Sequence, residues 1–148
     1  MNIVLVEPQI PQNTGNIARL CACTGAKLYL VGKMGFILSD KKMKRAGLDY
    51  WDDVFIKHYE NIEELMSEFS ENNFYFISTK AKKTHFEAKF KNGDFLVFGS
   101  ETAGLPRELI ESNLDTSLLI PMAEGKRSLN LSNSASIVLY EAIRQVGL

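Results

Sequence analysis

Short apolar runs recur along the chain at residues 3–6, 28–31, 54–57, 74–78, 95–98 and 117–120. They are rich in β-branched and aromatic residues and run on without polar alternation, which predicts strands covered on both faces. Between several of them the spacing changes to that of a helix. Ile17, Leu20, Cys21 and Thr24 fall at i, i+3, i+4 and i+7, as do Ile62, Leu65, Met66 and Phe69. Asn61 is placed to cap the second set, and Asn13 or Thr14 the first. A long helix is predicted from about residue 131 to 145. Strands alternating with helices predict an α/β fold, a mostly parallel sheet flanked by helices. No repeat, low-complexity tract or linker divides the chain, so residues 1–148 read as one domain.

The last helix has apolar residues nearly all round: Leu131, Ala135, Ile137, Val138, Leu139, Ala142, Ile143 and Val146. So little polar face implies cover on more than one side. In a chain of 148 residues a second subunit is a natural source of it. Ser132 and Ser136, four apart, let another element approach closely.

Composition narrows the classes. A hydrophobic fraction of 45% with 24% charged residues is that of an ordinary globular protein, and a net charge of −1 neither requires nor excludes a polyanionic partner. The two cysteines, Cys21 and Cys23, point to different sides of a helix, which suits neither a disulfide nor a zinc pair. That predicts a reduced, cytoplasmic protein. The chain opens on Asn2-Ile3-Val4-Leu5-Val6 without a basic leader, and no run approaches the ~20 apolar residues of a membrane span. His58 and His85 have no partner at metal-ligand spacing, so no metal is expected.

Three loops hold the candidate chemistry. The first, 7–16, follows the first strand, where open parallel sheets place their ligands. It lacks the G-x-G-x-x-G fingerprint. Asn16 and Arg19 share a polar helix face, and an arginine in the first turns of a helix opposes the macrodipole, which invites a functional account. The second, 98–106, carries Gly99 and Gly104. It has neither the Lys-Ser pair of a P-loop nor the G-x-S-x-G of a nucleophile elbow, and taken alone it reads as a strand-to-helix turn with Pro106 at the first helical turn. The third, 122–129, leads into Asn130-Leu131-Ser132-Asn133-Ser134, which sets polar side chains at a helix start, either as a cap or for a polar, nucleotide-like ligand. Basic clusters at Lys41-Lys42-Lys44-Arg45, at Lys80-Lys82-Lys83 with His85, and at Lys126-Arg127 have the composition for phosphate contacts. Tyr50, Trp51 and Phe86 lie near them, with rings able to stack on bases.

Together the three loops carry a recognisable pattern. Pro11-x-Asn13-x-Gly15-Asn16-Ile17-x-Arg19, Phe98-Gly99-x-Glu101-x-x-Gly104-Leu105-Pro106, and Ile120-Pro121-Met122 leading to Arg127-Ser128-Leu129-Asn130-Leu131-Ser132 occur in order. With them the chain resembles the trefoil-knotted SPOUT class of RNA 2′-O-ribose methyltransferases. Within that class it is most similar to the minimal tRNA (cytidine/uridine-2′-O)-methyltransferases of the wobble nucleotide. The likeness extends to Arg45-Ala46-Gly47-Leu48-Asp49-Tyr50 and Tyr140-Glu141-Ala142.

This resemblance implies a deep C-terminal trefoil knot, a rare exception to unknotted topology. It implies S-adenosylmethionine as cofactor, held by Ile77, Ser78, Thr79, Gly99, Ile120, Met122, Ser128 and Asn130. It implies a homodimer through the C-terminal helix and a tRNA anticodon stem-loop as partner, with no membrane. Arg19 would reach toward a methyl donor bound largely by the partner subunit. Asn13, Glu101, Ser132 and Tyr140 complete the candidate catalytic set, with Tyr140 near the nucleotide. A protonated guanidinium has no lone pair to accept a proton, so Arg19 is expected to orient the ribose or a phosphate and stabilise developing charge rather than act as a base. The alternatives are a 2′-O-methyltransferase of another tRNA position or of rRNA, and a non-catalytic RNA-binding dimer.

Overall fold

The computed structural model describes residues 1–36 and 54–148. The Lys41–Arg45 cluster, the 45–50 motif and the Tyr50 and Trp51 rings lie outside the described residues. Among the described residues there are seven strands: β1 (Asn2–Val6), β2 (Lys27–Val31), β3 (Ile56–Tyr59), β4 (Phe74–Ile77), β5 (Lys83–Thr84), β6 (Phe95–Phe98) and β7 (Ser117–Leu119). Four described α-helices accompany them: α1 (Pro11–Thr24), α2 (Ile62–Glu68), α3 (Arg107–Glu111) and α4 (Leu131–Val146). The strands form one sheet in the order β3-β2-β1-β6-β4-β7-β5, and every pairing among them is parallel.

Side chains alternate between two cores, as the period of a strand requires. Ile3, Leu5, Leu28, Leu30, Leu96 and Phe98 pack against Ile17, Ala18 and Cys21 of α1 and Leu131, Ala135, Val138, Leu139 and Ala142 of α4. Val4, Tyr29, Val31, Phe74, Phe76, Phe95 and Val97 face α2 and α3 through Ile62, Leu65 and Ile110. Phe74 and Phe95 stack there with ring centroids 4.5 Å apart. Both faces are covered, which accounts for the unbroken apolar strands.

Two boundaries differ from those expected. The third strand runs over Ile56–Tyr59 rather than 54–57. The register of β2 decides this: Leu28 pairs with Ile56 and Val31 with Tyr59, so the polar pair Lys57 and His58 is drawn into the ladder and Tyr59 is buried. Helix α1 starts with Pro11 at its first position, capped by Ile10 in an extended conformation, and not at Asn13 or Thr14. Proline at the first position lacks only an N–H that the helix leaves unbonded anyway. Asn13 and Thr14 instead send their N–H groups to Ile10 O. The earlier start puts Arg19 in mid-helix, so the macrodipole argument for it lapses. Asn61 caps α2 as its position indicated, accepting from Glu64 N–H at 2.9 Å. Pro106 stands one place before α3, as its N-cap.

Helix α4 buries one face on α1 and the sheet, and leaves Ile137 and Tyr140 exposed on the other. Cys21 is buried, which pushes its thiol up to about 12, while Cys23 faces outward. Among the described residues no helix is long and apolar enough to cross a membrane.

Candidate active site

The loops that follow β1, β4, β6 and β7 converge on a cleft of about 510 Å³ at the carboxyl edge of the sheet. This is where open parallel sheets gather ligand groups, and the volume falls within the roughly 300–1,000 Å³ of small-molecule sites. Ile77, Ser78 and Thr79 reach it from the end of β4, and Gly99 from the end of β6. Ile120, Met122, Ser128 and Asn130 reach it from the segment after β7. All eight positions named for the cofactor therefore line one cavity.

The five catalytic candidates divide. Asn13 and Glu101 line the cleft, and Ser132 joins them through Asn130. Arg19 lies on the exposed face of α1 and Tyr140 on that of α4, where it is 54% exposed; neither is part of the lining.

Asn13, Glu101, Asn130 and Ser132 form one hydrogen-bonded chain across three loops. One carboxylate oxygen of Glu101 accepts Gln9 N–H at 2.8 Å, and the other accepts Ile10 N–H at 3.1 Å and Asn13 Nδ2 at 3.0 Å. Asn130 Nδ2 donates to Asn13 Oδ1 at 3.0 Å. The Oδ1 of Asn130 accepts Ser132 N–H at 2.9 Å and Ser132 Oγ at 2.7 Å, and so caps α4. Hydrogen bonds of this kind to an ionised acceptor contribute about 1.5–3 kcal/mol each. The carboxylate of Glu101 is thus a staple holding the β1 segment against the β6 loop. Gln9 and Glu101 are 92 residues apart in sequence.

The β6 loop folds back on itself. Gly104 N–H bonds Ser100 O at 2.9 Å, and a Cβ on Gly99 would overlap the backbone of Gly104 and Leu105. Only glycine admits that approach, and Gly104, with φ of 70°, occupies the left-handed region as well. Between residues 121 and 129 the one backbone hydrogen bond among the described residues is Lys126 N–H to Ala123 O, at 3.3 Å. The main chain beside the cleft thus keeps donors and acceptors open, while Ile77, Leu105, Ile120 and Met122 supply apolar walls. Open amides between apolar walls suit a flat heteroaromatic ring read by its edges.

Lys80, from the basic cluster singled out for phosphate contacts, follows Thr79 into the lining, while sequence reasoning missed the staple itself. It also missed a second cleft of about 470 Å³ over β1, β2 and β3, to which Glu7, Glu60, Glu63 and Glu108 contribute. Phe86, named for stacking, is 62% exposed and rests on the buried ring of His85 at 3.9 Å between centroids. Beside Tyr140, the Arg144 guanidinium and Gln145 amide hold the Glu141 carboxyl down at about 2.

The parallel sheet, the glycine loop folded on itself and the polar helix start thus meet at one cleft. The chain belongs to the SpoU rRNA Methylase family, whose model matches residues 1–140. It is 48% identical over 147 residues to the tRNA (cytidine(34)-2′-O)-methyltransferase of Saccharophagus degradans, covering 99% of this chain and 96% of that one. A solved structure described as giving insight into the 2-OH methylation of C/U34 on tRNA superposes with a TM-score of 0.91 at 39% identity, covering 97% of this chain and 94% of that one. The SpoU methyltransferase AviRb of Streptomyces viridochromogenes, in complex with AdoMet, gives a TM-score of 0.84 at 25% identity over 98% of this chain and 60% of that one.

Proposed function

We propose that this chain transfers a methyl group from S-adenosylmethionine to the ribose 2′-hydroxyl of the wobble cytidine or uridine in a tRNA anticodon loop. The observation that carries the reading is convergence: eight positions drawn from three separated loops line a single cleft. Near-full-length identity to a tRNA (cytidine(34)-2′-O)-methyltransferase supports the substrate. The cleft fits the cofactor by its open main chain at 121–129 and its apolar walls.

Bound there, S-adenosylmethionine supplies a methyl group already activated on a sulfonium. Ile77, Ser78, Thr79, Gly99, Ile120, Met122, Ser128 and Asn130 would hold the cofactor, the apolar side chains and open main chain suiting its heteroaromatic ring. The protein's own task is alignment of a ribose hydroxyl, where well-oriented groups contribute most. Arg19 orients the ribose or its phosphate and stabilises the developing negative charge; a guanidinium cannot take the proton. Tyr140 touches the nucleotide. Asn13, Glu101 and Ser132 act through the loops they tie together and are positioning residues.

Arg19 and Tyr140 stand outside the lining of their own chain's cleft, on helices α1 and α4, which pack together. A homodimer through α4 brings both to the partner's cleft and covers Ile137, 38% exposed, beside Tyr140. The C-terminal trefoil knot belongs to the same reading, with the segment after Ile120 threaded behind the β6 loop. Two free cysteines suit a cytoplasmic setting.

Methyl transfer to tRNA from cells lacking this protein, followed by nucleoside mass spectrometry of anticodon-loop fragments, tests the proposal. The expected product is a new 2′-O-methyl group on the wobble cytidine or uridine. A folded, cofactor-binding protein that leaves tRNA unmethylated sinks the tRNA assignment, and rRNA is then the substrate to try. Arg19→Ala should lower turnover by more than ~100-fold, on the scale of a lost oxyanion-type donor, while leaving cofactor affinity intact. Turnover near normal removes Arg19 from the chemistry.

A further inference from the structure

Among the described residues, three charged side chains line the cleft: Lys80, Glu101 and Arg127. Glu101 is committed internally, with both oxygens accepting hydrogen bonds from the β1 segment. Lys80 and Arg127 are exposed and make no ion pair among the described residues. Other arginines are matched within the chain: Arg107 by Glu111 at 2.6 Å and Arg144 by Glu141 at 2.8 Å. The cleft mouth thus presents two cations, and the carboxylate that shares the lining with them is already bonded elsewhere.

The backbone presents both side chains on short, tied turns. Ser78 N–H bonds Leu118 O at 2.9 Å, Ala81 N–H bonds Ser78 O at 3.3 Å, and Lys80 N–H bonds Ser78 Oγ at 3.2 Å, so Lys80 is anchored to the end of β7. Arg127 follows the turn closed by Lys126 N–H on Ala123 O, with Gly125 in the left-handed region. Lys82 and Lys126 extend the basic surface on either side.

S-adenosylmethionine is a poor match for these two charges. Its carboxylate is balanced by its own ammonium, and the sulfonium leaves the molecule with a net positive charge. Two cations beside a cationic ligand are repulsive. A phosphodiester strand carries one negative charge per nucleotide and no internal balance. An arginine offers it a bidentate fork and a lysine a compact point charge. The second cleft on the same sheet edge, lined by Glu7, Glu60, Glu63 and Glu108, repels such a strand.

Resting on the 2′-O-methyltransferase reading, we propose that Lys80 and Arg127 clamp a backbone phosphate of the RNA beside the target nucleotide, and so set which ribose enters the cleft. The test uses the full chain with Lys80→Ala, Arg127→Ala and the double variant, and with Lys89→Ala, an exposed lysine outside the cleft lining, as control. Each cleft variant should raise the tRNA KM by roughly 10-fold with kcat little changed, and leave S-adenosylmethionine affinity within about two-fold. Each should also reduce the slope of log affinity against log salt by about 0.7–0.9, as expected when one phosphate is no longer neutralised. Lys89→Ala should move none of these. Lys80→Arg should restore the slope, and Arg127→Lys should restore the slope but only part of the affinity, because the charge remains and the fork does not.

An unchanged salt slope in both single variants overturns the clamp. A loss of cofactor affinity with tRNA binding intact also overturns it, and assigns the two cations to the cofactor's carboxylate. Failure of the parent reading looks different: the unaltered protein itself then transfers no methyl group to tRNA, whatever the variants do.

Discussion

Two clefts open at the carboxyl edge of the sheet, on either side of the β1–β6 boundary, and they differ in how their carboxylates are used. Over β4, β6 and β7, Glu101 is absorbed in hydrogen bonds to Gln9, Ile10 and Asn13, leaving Lys80 and Arg127 to set the sign of the mouth. Over β1, β2 and β3, Glu7, Glu60, Glu63 and Glu108 meet with no lysine or arginine among the described lining residues. Both are similar in volume, about 510 and 470 Å³. Size therefore does not tell them apart; charge and open main chain do. A carboxylate in a cleft is no guide to function until its hydrogen bonds are counted.

The largest effect should come from the glycine that lets the β6 loop close. Gly99→Ala forces a Cβ into the backbone at Gly104 and Leu105. Stability should drop by about 3 kcal/mol, the upper end for overpacking, and calorimetric titration should find S-adenosylmethionine binding gone. Full-affinity binding would show that the β6 loop does not shape the cofactor cleft.

Next in size is a matched pair of isosteric changes. Glu101→Gln turns an acceptor oxygen into an NH₂ facing N–H donors and should cost about 2 kcal/mol in denaturant unfolding, together with cofactor affinity. Glu60→Gln, in the acidic cleft, should stay within about 0.5 kcal/mol and leave affinity unchanged. Equal costs for the two would erase the distinction between the clefts. Asn130→Ala removes the cap of α4 and the link to Asn13. A loss of about 1 kcal/mol is expected from the cap, and an unchanged melting temperature would contradict it.

The smallest effect concerns pH. Glu141 is held at about 2 against an ordinary value of 4.5, by Arg144 first and then Gln145. A folded value below the unfolded one means that its contribution is fully present above about 4.5 and drains away as pH falls through 2. Glu141→Gln should remove that small contribution at neutral pH and so flatten the fall in stability across the window, the two proteins converging in acid. If the variant's acid limb matches the parent's, the pair with Arg144 contributes nothing to acid stability.

Much of this fold is legible before any coordinates. The four central strands and the cap at Asn61 follow from spacing and side-chain type within a few residues. The edge strand β3 is misread by two residues because its bounds depend on pairing with β2, not on its own apolarity. The start of α1 is misread because proline at the first helical position competes with the better-known side-chain cap. Strand β5, two residues long, carries no periodicity to detect. Within the site, Gly99, Ile120, Met122, Ser128 and Asn130 are legible as members of the motifs and Ile77, Ser78 and Thr79 through the resemblance, while the use of Glu101 is not, since its partners stand 88 to 92 residues away.

From the sequence by itself come the alternation of strands and helices, the burial of both sheet faces and the three polar-glycine loops. These depend on backbone preferences and hydrophobic periodicity, which act over a turn or a pleat. The tertiary structure alone decided that those loops share one cleft, that Glu101 serves as a staple, and that the cations gather at one end of the sheet edge and the carboxylates at the other. The reason is the strand order: parallel crossovers seat β6 between β1 and β4, bringing segments some 90 residues apart within hydrogen-bonding distance, and no local pattern encodes which distant segments will meet.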